Sequence, residues 1–133
     1  MREYTQFYIN GEWVDPSAPN SFDVINPATE GVCGHIALGN EADVDKAVAA
    51  AKAAFATFSA TSREDRIALL AAIVEAYKAR YNDVADAISE EMGAPTKLAV
   101  QAQAGAGLGH IAQALQVLQD FEFEEGIGAH RVF

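Results

Sequence analysis

The sequence predicts an α+β fold in which a β-hairpin and short strands come first and about four α-helices follow. Residues 1–38 hold short apolar runs separated by an Asn-Gly pair and by prolines. Residues 39–133 are rich in alanine, and their apolar side chains recur every three or four positions, which is typical of helices. We therefore divide this single domain into a region of hairpin and strands, 1–38, and a helical region, 39–133.

The strand region is predicted from turn-forming residues. Asn10 and Gly11 indicate a hairpin over 5–14, because both central positions of the tight turn need a positive φ that Asn and Gly tolerate. Segments 22–26 and 32–37 are expected to be two more strands, joined by a turn that starts at Pro27.

The first two helices are predicted from their capping residues. Asn40 is a candidate N-cap for the first helix, whose first turn carries acidic side chains that the helix dipole favours. The second helix has two alternative capping boxes, Thr61 with Glu64 and Ser62 with Asp65. The pattern leaves both open.

The last two helices are predicted in the same way. Asn82 is a candidate cap for the third helix, and Gly93 stands where a left-handed C-terminal cap belongs, with Pro95 just beyond it. An apolar stripe then predicts a fourth helix over about 96–121.

The composition excludes several classes of partner. Nine Lys and Arg against 19 Asp and Glu give a net charge of −10, which disfavours nucleic acid and anionic membranes. No apolar run approaches the roughly 20 residues of a membrane span, and no signal-peptide pattern follows Met1. We expect a soluble cytoplasmic protein without nucleic-acid or membrane partners.

Three glycines, Gly105, Gly107 and Gly109, invite comparison with a dinucleotide-binding loop. That loop needs a strand before it and an acidic residue about 20 positions later. Here the glycines interrupt a helical pattern, where each costs about 1 kcal/mol relative to alanine. Close packing of another helix, or space for a ligand, would explain them better than phosphate binding.

Cys33 is the only thiol, which excludes an intramolecular disulfide. It lies in a predicted strand without the cationic neighbours or helix N-terminus that activate a thiol, so we expect a small buried side chain. His35, His110 and His130 are too scattered for a metal motif. The residues by themselves indicate no catalytic, cofactor-binding or metal site.

Five strings in a fixed order nevertheless resemble a known family. They are Tyr-Ile-Asn-Gly-Glu-Trp-Val at 8–14, Ile-Asn-Pro-Ala-Thr at 25–29, Asp-Val-Asp-Lys-Ala-Val at 43–48, Arg-Ile-Ala-Leu-Leu at 66–70 and Glu-Met-Gly-Ala-Pro at 91–95. Together they are similar to the amino-terminal segment of NAD(P)-dependent aldehyde dehydrogenases, which are several times longer. The resemblance implies that 1–133 is an incomplete domain, a helical layer on the family's nucleotide-binding domain.

The resemblance also implies an activity for a longer parent enzyme. That enzyme would bind NAD or NADP and oxidise an aldehyde to a carboxylic acid through a cysteine thiolate and a glutamate-activated water. The motifs that carry these groups, among them Gly-Gln-x-Cys, do not occur in this sequence. We therefore expect this chain alone to be inactive and to bind no cofactor, and we expect a homo-oligomer.

Four positions match functional places in the family. The backbone carbonyl of Ile25 and the side chain of Glu91 match two ligands of a monovalent cation that some members hold. Ala102 and Ala106 match positions that line the aldehyde entry tunnel. For the two alanines, tight helix packing is an equally good alternative.

The alternative to an enzyme segment is a stand-alone helical interaction or oligomerisation module, which the length and the successive capped helices would also suit. Either interpretation predicts an apolar helical face that needs a partner. The residues expected on that face are Phe55, Phe58, Leu70, Val74 and Leu115.

Overall fold

A computed structural model describes residues 1–127 and 130–132 of the chain. The strands before the helices are β1 (Arg2–Tyr4), β2 (Phe7–Ile9), β3 (Glu12–Val14), β4 (Ser21–Asn26) and β5 (Gly31–Ala37). The helices are α1 (Glu41–Phe58), α2 (Arg63–Ala79), α3 (Tyr81–Met92), α4 (Thr96–Leu98) and α5 (Ala104–Asp120). A π-helical segment, Ala99–Gln103, joins α4 to α5, and β6 (Glu125–Ile127) and β7 (His130–Val132) follow.

The strands form three small sheets. β5 lies at the centre of the largest one, parallel to β1 and antiparallel to β4, while β2 pairs with β3 and β6 with β7. The predicted hairpin is confirmed, with φ of 55° at Asn10 and 83° at Gly11. The pattern did not predict β1, and the predicted helical region 39–133 differs from the structure in ending with the β6–β7 pair.

The start of α1 is held by a buried carboxylate. The Asn40 side chain accepts from the Asp43 N–H, and the Asp43 side chain accepts from the Asn40 N–H, as in a capping box. Asp43 Oδ1 also accepts from the Ser17 N–H at 2.8 Å and the Ser17 hydroxyl at 2.6 Å. These bonds, that of the Ser17 hydroxyl above all, lower the pKa of Asp43. They attach the loop after β3 to the first turn of α1.

The other helix ends settle two predictions. The capping box of α2 is formed by Ser62 and Asp65, so this alternative is the correct one. The prediction that Asn82 caps the third helix is wrong, because α3 starts at Tyr81 directly after Arg80 and has no side-chain cap. Gly93 ends α3 in the left-handed conformation with φ of 70°, as predicted.

The core lies where α2 and α3 meet the π-helical segment and α5. Its fully enclosed side chains are small, namely Ala85, Ala99 and Ala104. Helix α1 stands apart beside β2, and its Phe55 and Phe58 are 68% and 50% exposed, as predicted for an apolar face. The same prediction is wrong for Val74, which is buried on α2.

His35 links the three strands of the largest sheet. It sits on β5 opposite Glu3 of β1 and Asp23 of β4. Its Nδ1 lies 2.8 Å from Glu3 Oε1 and its Nε2 lies 3.3 Å from Asp23 Oδ1. The hydrogen bond with Glu3, assisted by the charges of both carboxylates, raises the pKa of His35 above 6.5 against a smaller opposing effect of desolvation.

This contact predicts a pH dependence of stability. A raised pKa in the folded state means that protonated His35 stabilises the fold fully below about 6.5 and stops doing so as the pH rises through the folded-state pKa. Replacing His35 by Gln should flatten that part of the pH–stability curve, as measured by melting temperature. An NMR titration that puts the His35 pKa at or below the ordinary value would contradict this.

Candidate functional site

The π-helical segment, hereafter the wide turn, is the main irregularity of the helical region. At its end the Ala104 N–H donates to the carbonyl of Ala99, five residues earlier. Both alanines have 0% of their surface exposed. In a regular α-helix two residues at this spacing would point about 140° apart. The wide turn therefore lets both side chains pack into one core.

Two tyrosines bind the backbone at this place. Tyr77 near the end of α2 donates from its hydroxyl to the Ala104 carbonyl at 3.0 Å. Tyr81 at the start of α3 donates to the Val100 carbonyl, inside the wide turn. Their rings meet edge to face with centroids 6.3 Å apart. A polar side chain that inserts into the backbone hydrogen bonds of a helix is a known cause of such distortions. We therefore attribute the π-helical distortion to this pair of tyrosines.

The tyrosines also explain two of the three glycines. A Cβ on Gly107 would lie 2.5 Å from the Tyr77 hydroxyl oxygen and 3.1 Å from the ring carbon that carries it, and a Cβ on Gly105 would lie 3.3 Å from the Tyr81 hydroxyl oxygen. A Cβ on Gly109 would meet nothing within 4 Å. The packing interpretation is thus confirmed for Gly105 and Gly107. These two face tyrosines rather than an open cradle, so they do not fit the pyrophosphate of a dinucleotide.

Ala102 and Ala106, the predicted tunnel residues, are both exposed. They lie in the wide turn and one helical turn further along, while their neighbours Ala99 and Ala104 are buried. Packing between the described helices therefore does not require Ala102 and Ala106 to be small. Their part in a tunnel stays a prediction.

The segments of Ile25 and Glu91, the predicted cation ligands, come together at the end of α3. A Cβ on Gly93 would lie 2.7 Å from Pro27, so the turn after β4 touches the helix end. Glu91 is engaged by a guanidinium, since Arg2 lies 3.3 Å from its carboxylate and 2.7 Å from that of Glu90. Within the described residues no three His, Cys, Asp or Glu side chains form a metal-binding group. The cation site stays a prediction.

Cys33 is half-buried rather than buried as predicted, and its thiol lies 3.3 Å from the Val24 carbonyl as a weak donor. The side chain of His130 lies outside the part that the structure describes, while His35 and His110 belong to different elements.

The sequence patterns gave Tyr77 and Tyr81 no functional role. Their spacing of four residues, opposite a glycine-rich helix, is the signal that could have found them.

Comparisons with known proteins agree with this fold. The sequence model of the Aldehyde dehydrogenase family matches residues 13–129. The chain is 48% identical to a 3-succinoylsemialdehyde-pyridine dehydrogenase from a Pseudomonas species, a match that covers 99% of this chain and 28% of that protein.

Solved structures agree as well. An aldehyde dehydrogenase from Bartonella henselae superposes with a TM-score of 0.93 at 43% identity, over 97% of this chain and 27% of the other. Aldehyde dehydrogenase C from Pseudomonas syringae, solved as a mutant with NAD+ and octanal, gives 0.90 at 44% identity, over 93% and 26%.

The chain belongs to the aldehyde dehydrogenase family. It spans a little over a quarter of the length of the relatives it matches, and it corresponds to the amino-terminal part of their structures. In the part of the chain that the structure describes, no helix combines the length and the apolar character needed to cross a membrane.

The close approach of Tyr77 to Gly107 predicts opposite outcomes for two similar substitutions. Gly107→Ala should destabilise the complete protein, because the new Cβ would displace the tyrosine ring, and overpacking of this kind costs about 1–3 kcal/mol. Gly109→Ala, two residues away in open space, should stabilise it by about 1 kcal/mol through helix propensity. Apparent melting temperatures of both variants measure this. Equal shifts in the two variants would refute the tyrosine contact.

Proposed function

We propose that this chain is part of an NAD(P)-dependent aldehyde dehydrogenase, an oxidoreductase that converts an aldehyde to a carboxylic acid. The family match over residues 13–129 is the observation that carries the proposal. It is supported by the structural likeness, at 44% identity, to an aldehyde dehydrogenase that was solved with NAD+ and octanal. The cofactor supplies hydride acceptance when bound, and the residues that hold it would lie outside this chain.

The part of this chain in the enzyme is structural. Its only thiol, Cys33, sits half-buried in β5 against the Val24 carbonyl, which does not suit a nucleophile that must reach a substrate. We infer that the helices α2, α3 and α5 form a layer against the remainder of the enzyme, and that the exposed face of α1 is covered in a homo-oligomer. Sedimentation of the complete protein as a monomer would exclude that assembly.

The chain's charge and its single cysteine support the remaining parts of the proposal. A net charge of −10 disfavours nucleic acid and anionic membranes as partners, because both bind basic surfaces. The charge has no bearing on location; the cytoplasmic location is proposed because a single cysteine leaves no disulfide framework of the kind that marks oxidising compartments.

Turnover assays test the proposed activity. The complete protein should reduce NAD+ or NADP+ in the presence of aldehydes from a panel of different chain lengths, and the 133-residue chain alone should not. Absence of turnover in the complete protein would refute the proposed activity. Turnover by the short chain would refute the structural role.

The genomic sequence distinguishes this proposal from the alternative, a stand-alone helical module. A reading frame that continues past Phe133 into a Gly-Gln-x-Cys motif would exclude the module. A stop codon at that point would favour it.

We propose further that Ala102 and Ala106 form part of the wall of the aldehyde tunnel. Both side chains are small and exposed, and the four-residue spacing places them on a similar side of the helical stretch. A wall of small side chains would leave room for bulky aldehydes. The cation ligands Ile25 and Glu91 are proposed on the family resemblance alone.

Enlarging one wall residue should change the preference for substrate size. Ala106→Leu in the complete enzyme should obstruct bulky aldehydes and spare acetaldehyde. A change of this size in a pocket alters the transition-state free energy by about 1–3 kcal/mol, so the ratio of kcat/KM values should change by about ten-fold or more. The matched control is Ala112→Leu, also exposed on α5 but about 120° around the helix. A lower melting temperature with an unchanged ratio would show that Ala106 only packs.

A further inference from the structure

We propose that Tyr77 and Tyr81 are positioning residues that set the size preference of the aldehyde tunnel. Through their hydroxyls they hold the wide turn, and the wide turn determines which side chains face the tunnel. This inference rests on the proposed function, because it concerns the wall formed by Ala102 and Ala106. It adds two residues that act on the wall through backbone carbonyls, those of Val100 and Ala104.

The wide turn needs stabilisation from outside the helix. A π-helical turn is rare, and the α-helical arrangement with its four-residue spacing is the ordinary alternative. Here the two hydroxyl bonds bracket the distortion, one on Val100 within the turn and one on Ala104 immediately after it. They come from two different helices, and their rings support each other edge to face. Loss of either hydroxyl therefore removes a bond that stabilises the wide turn, and so favours the regular α-helical arrangement.

Relaxation of the wide turn would change the tunnel wall in a definite direction. Each residue of an α-helix turns the chain by about 100°. If the wide turn changed to the four-residue hydrogen bonds of an α-helix, residues 99–103 would rotate by about that angle relative to α5. Because Ala102 stands between Gln101 and Gln103, rotation either way would bring a glutamine toward the position that alanine held. The tunnel would then be narrower.

The glycines of α5 show that the hydroxyls are accommodated rather than incidental. Gly105 and Gly107 leave space for the two tyrosine oxygens, although a helix interior favours alanine over glycine at each position. Ala99 and Ala104, which the five-residue bond joins, are both fully buried. Hydroxyls, glycines and buried alanines all favour the same backbone arrangement.

Substrate discrimination in the complete enzyme tests this inference. Tyr81→Phe removes one hydroxyl and keeps the ring. It should lower kcat/KM for a bulky aldehyde relative to acetaldehyde by roughly five-fold, the effect of one hydrogen bond, with kcat for acetaldehyde little changed. Tyr77→Phe should act in the same direction. Tyr4→Phe is the matched control, because Tyr4 is exposed and its hydroxyl has no hydrogen-bond partner among the described residues.

The outcomes are distinct. A fall in the ratio for both variants but not for the control supports the inference. An unchanged ratio in either folded variant, with or without a lower melting temperature, overturns it and leaves the tyrosines a structural role. Failure of both variants to fold also overturns it, because the hydroxyls would then serve folding. A wild-type enzyme inactive on every aldehyde would refute the proposed function instead.

Discussion

The hydrogen bonds from Tyr77 and Tyr81 to backbone carbonyls are the interaction on which the helical region depends. They connect α2 and α3 to the wide turn and to α5, beside a core whose fully enclosed side chains are alanines. A hydrogen bond of this kind contributes about 1 kcal/mol net, while a buried carbonyl without any partner costs more. The pair thus supports a backbone that the alanine-rich sequence would not otherwise favour.

The small core and the exposed apolar surface have one explanation. The buried apolar side chains in the described part are Val74 and three alanines, whereas large ones such as Phe55 and Val44 are more than half exposed. A chain that buries so little on its own gains little hydrophobic stabilisation. The matched members of the family are more than three times as long, and our proposal is that the remainder of such an enzyme covers this surface. Gly105 and Gly107 allow the two tyrosines to approach α5 closely. We propose that the small side chains of Ala102 and Ala106 leave room for substrate.

Local signals were predicted well and distant ones were not. The Asn10-Gly11 turn, the Asn40 cap and the Gly93 end depend on neighbouring residues, and the structure confirms them. Strand β1 depends on pairing with β5, more than 30 positions away, so no local pattern could reveal it. The wide turn likewise depends on tyrosines from other helices. At the candidate site, Ala102 and Ala106 were predicted by resemblance and stay a prediction, while no local pattern pointed to the hydrogen bonds of Tyr77 and Tyr81 with the wide turn and α5.

A crystal structure of the complete protein with both Tyr77 and Tyr81 replaced by Phe, beside the wild type, tests the central claim most directly. We expect the wild type to show both hydroxyl–carbonyl bonds and the bond from the Ala104 N–H to the Ala99 carbonyl. In the double variant we expect that last bond to be replaced by regular four-residue bonds, with a glutamine turned toward the place of Ala102. An unchanged wide turn in the variant would contradict the claim that the tyrosines hold it.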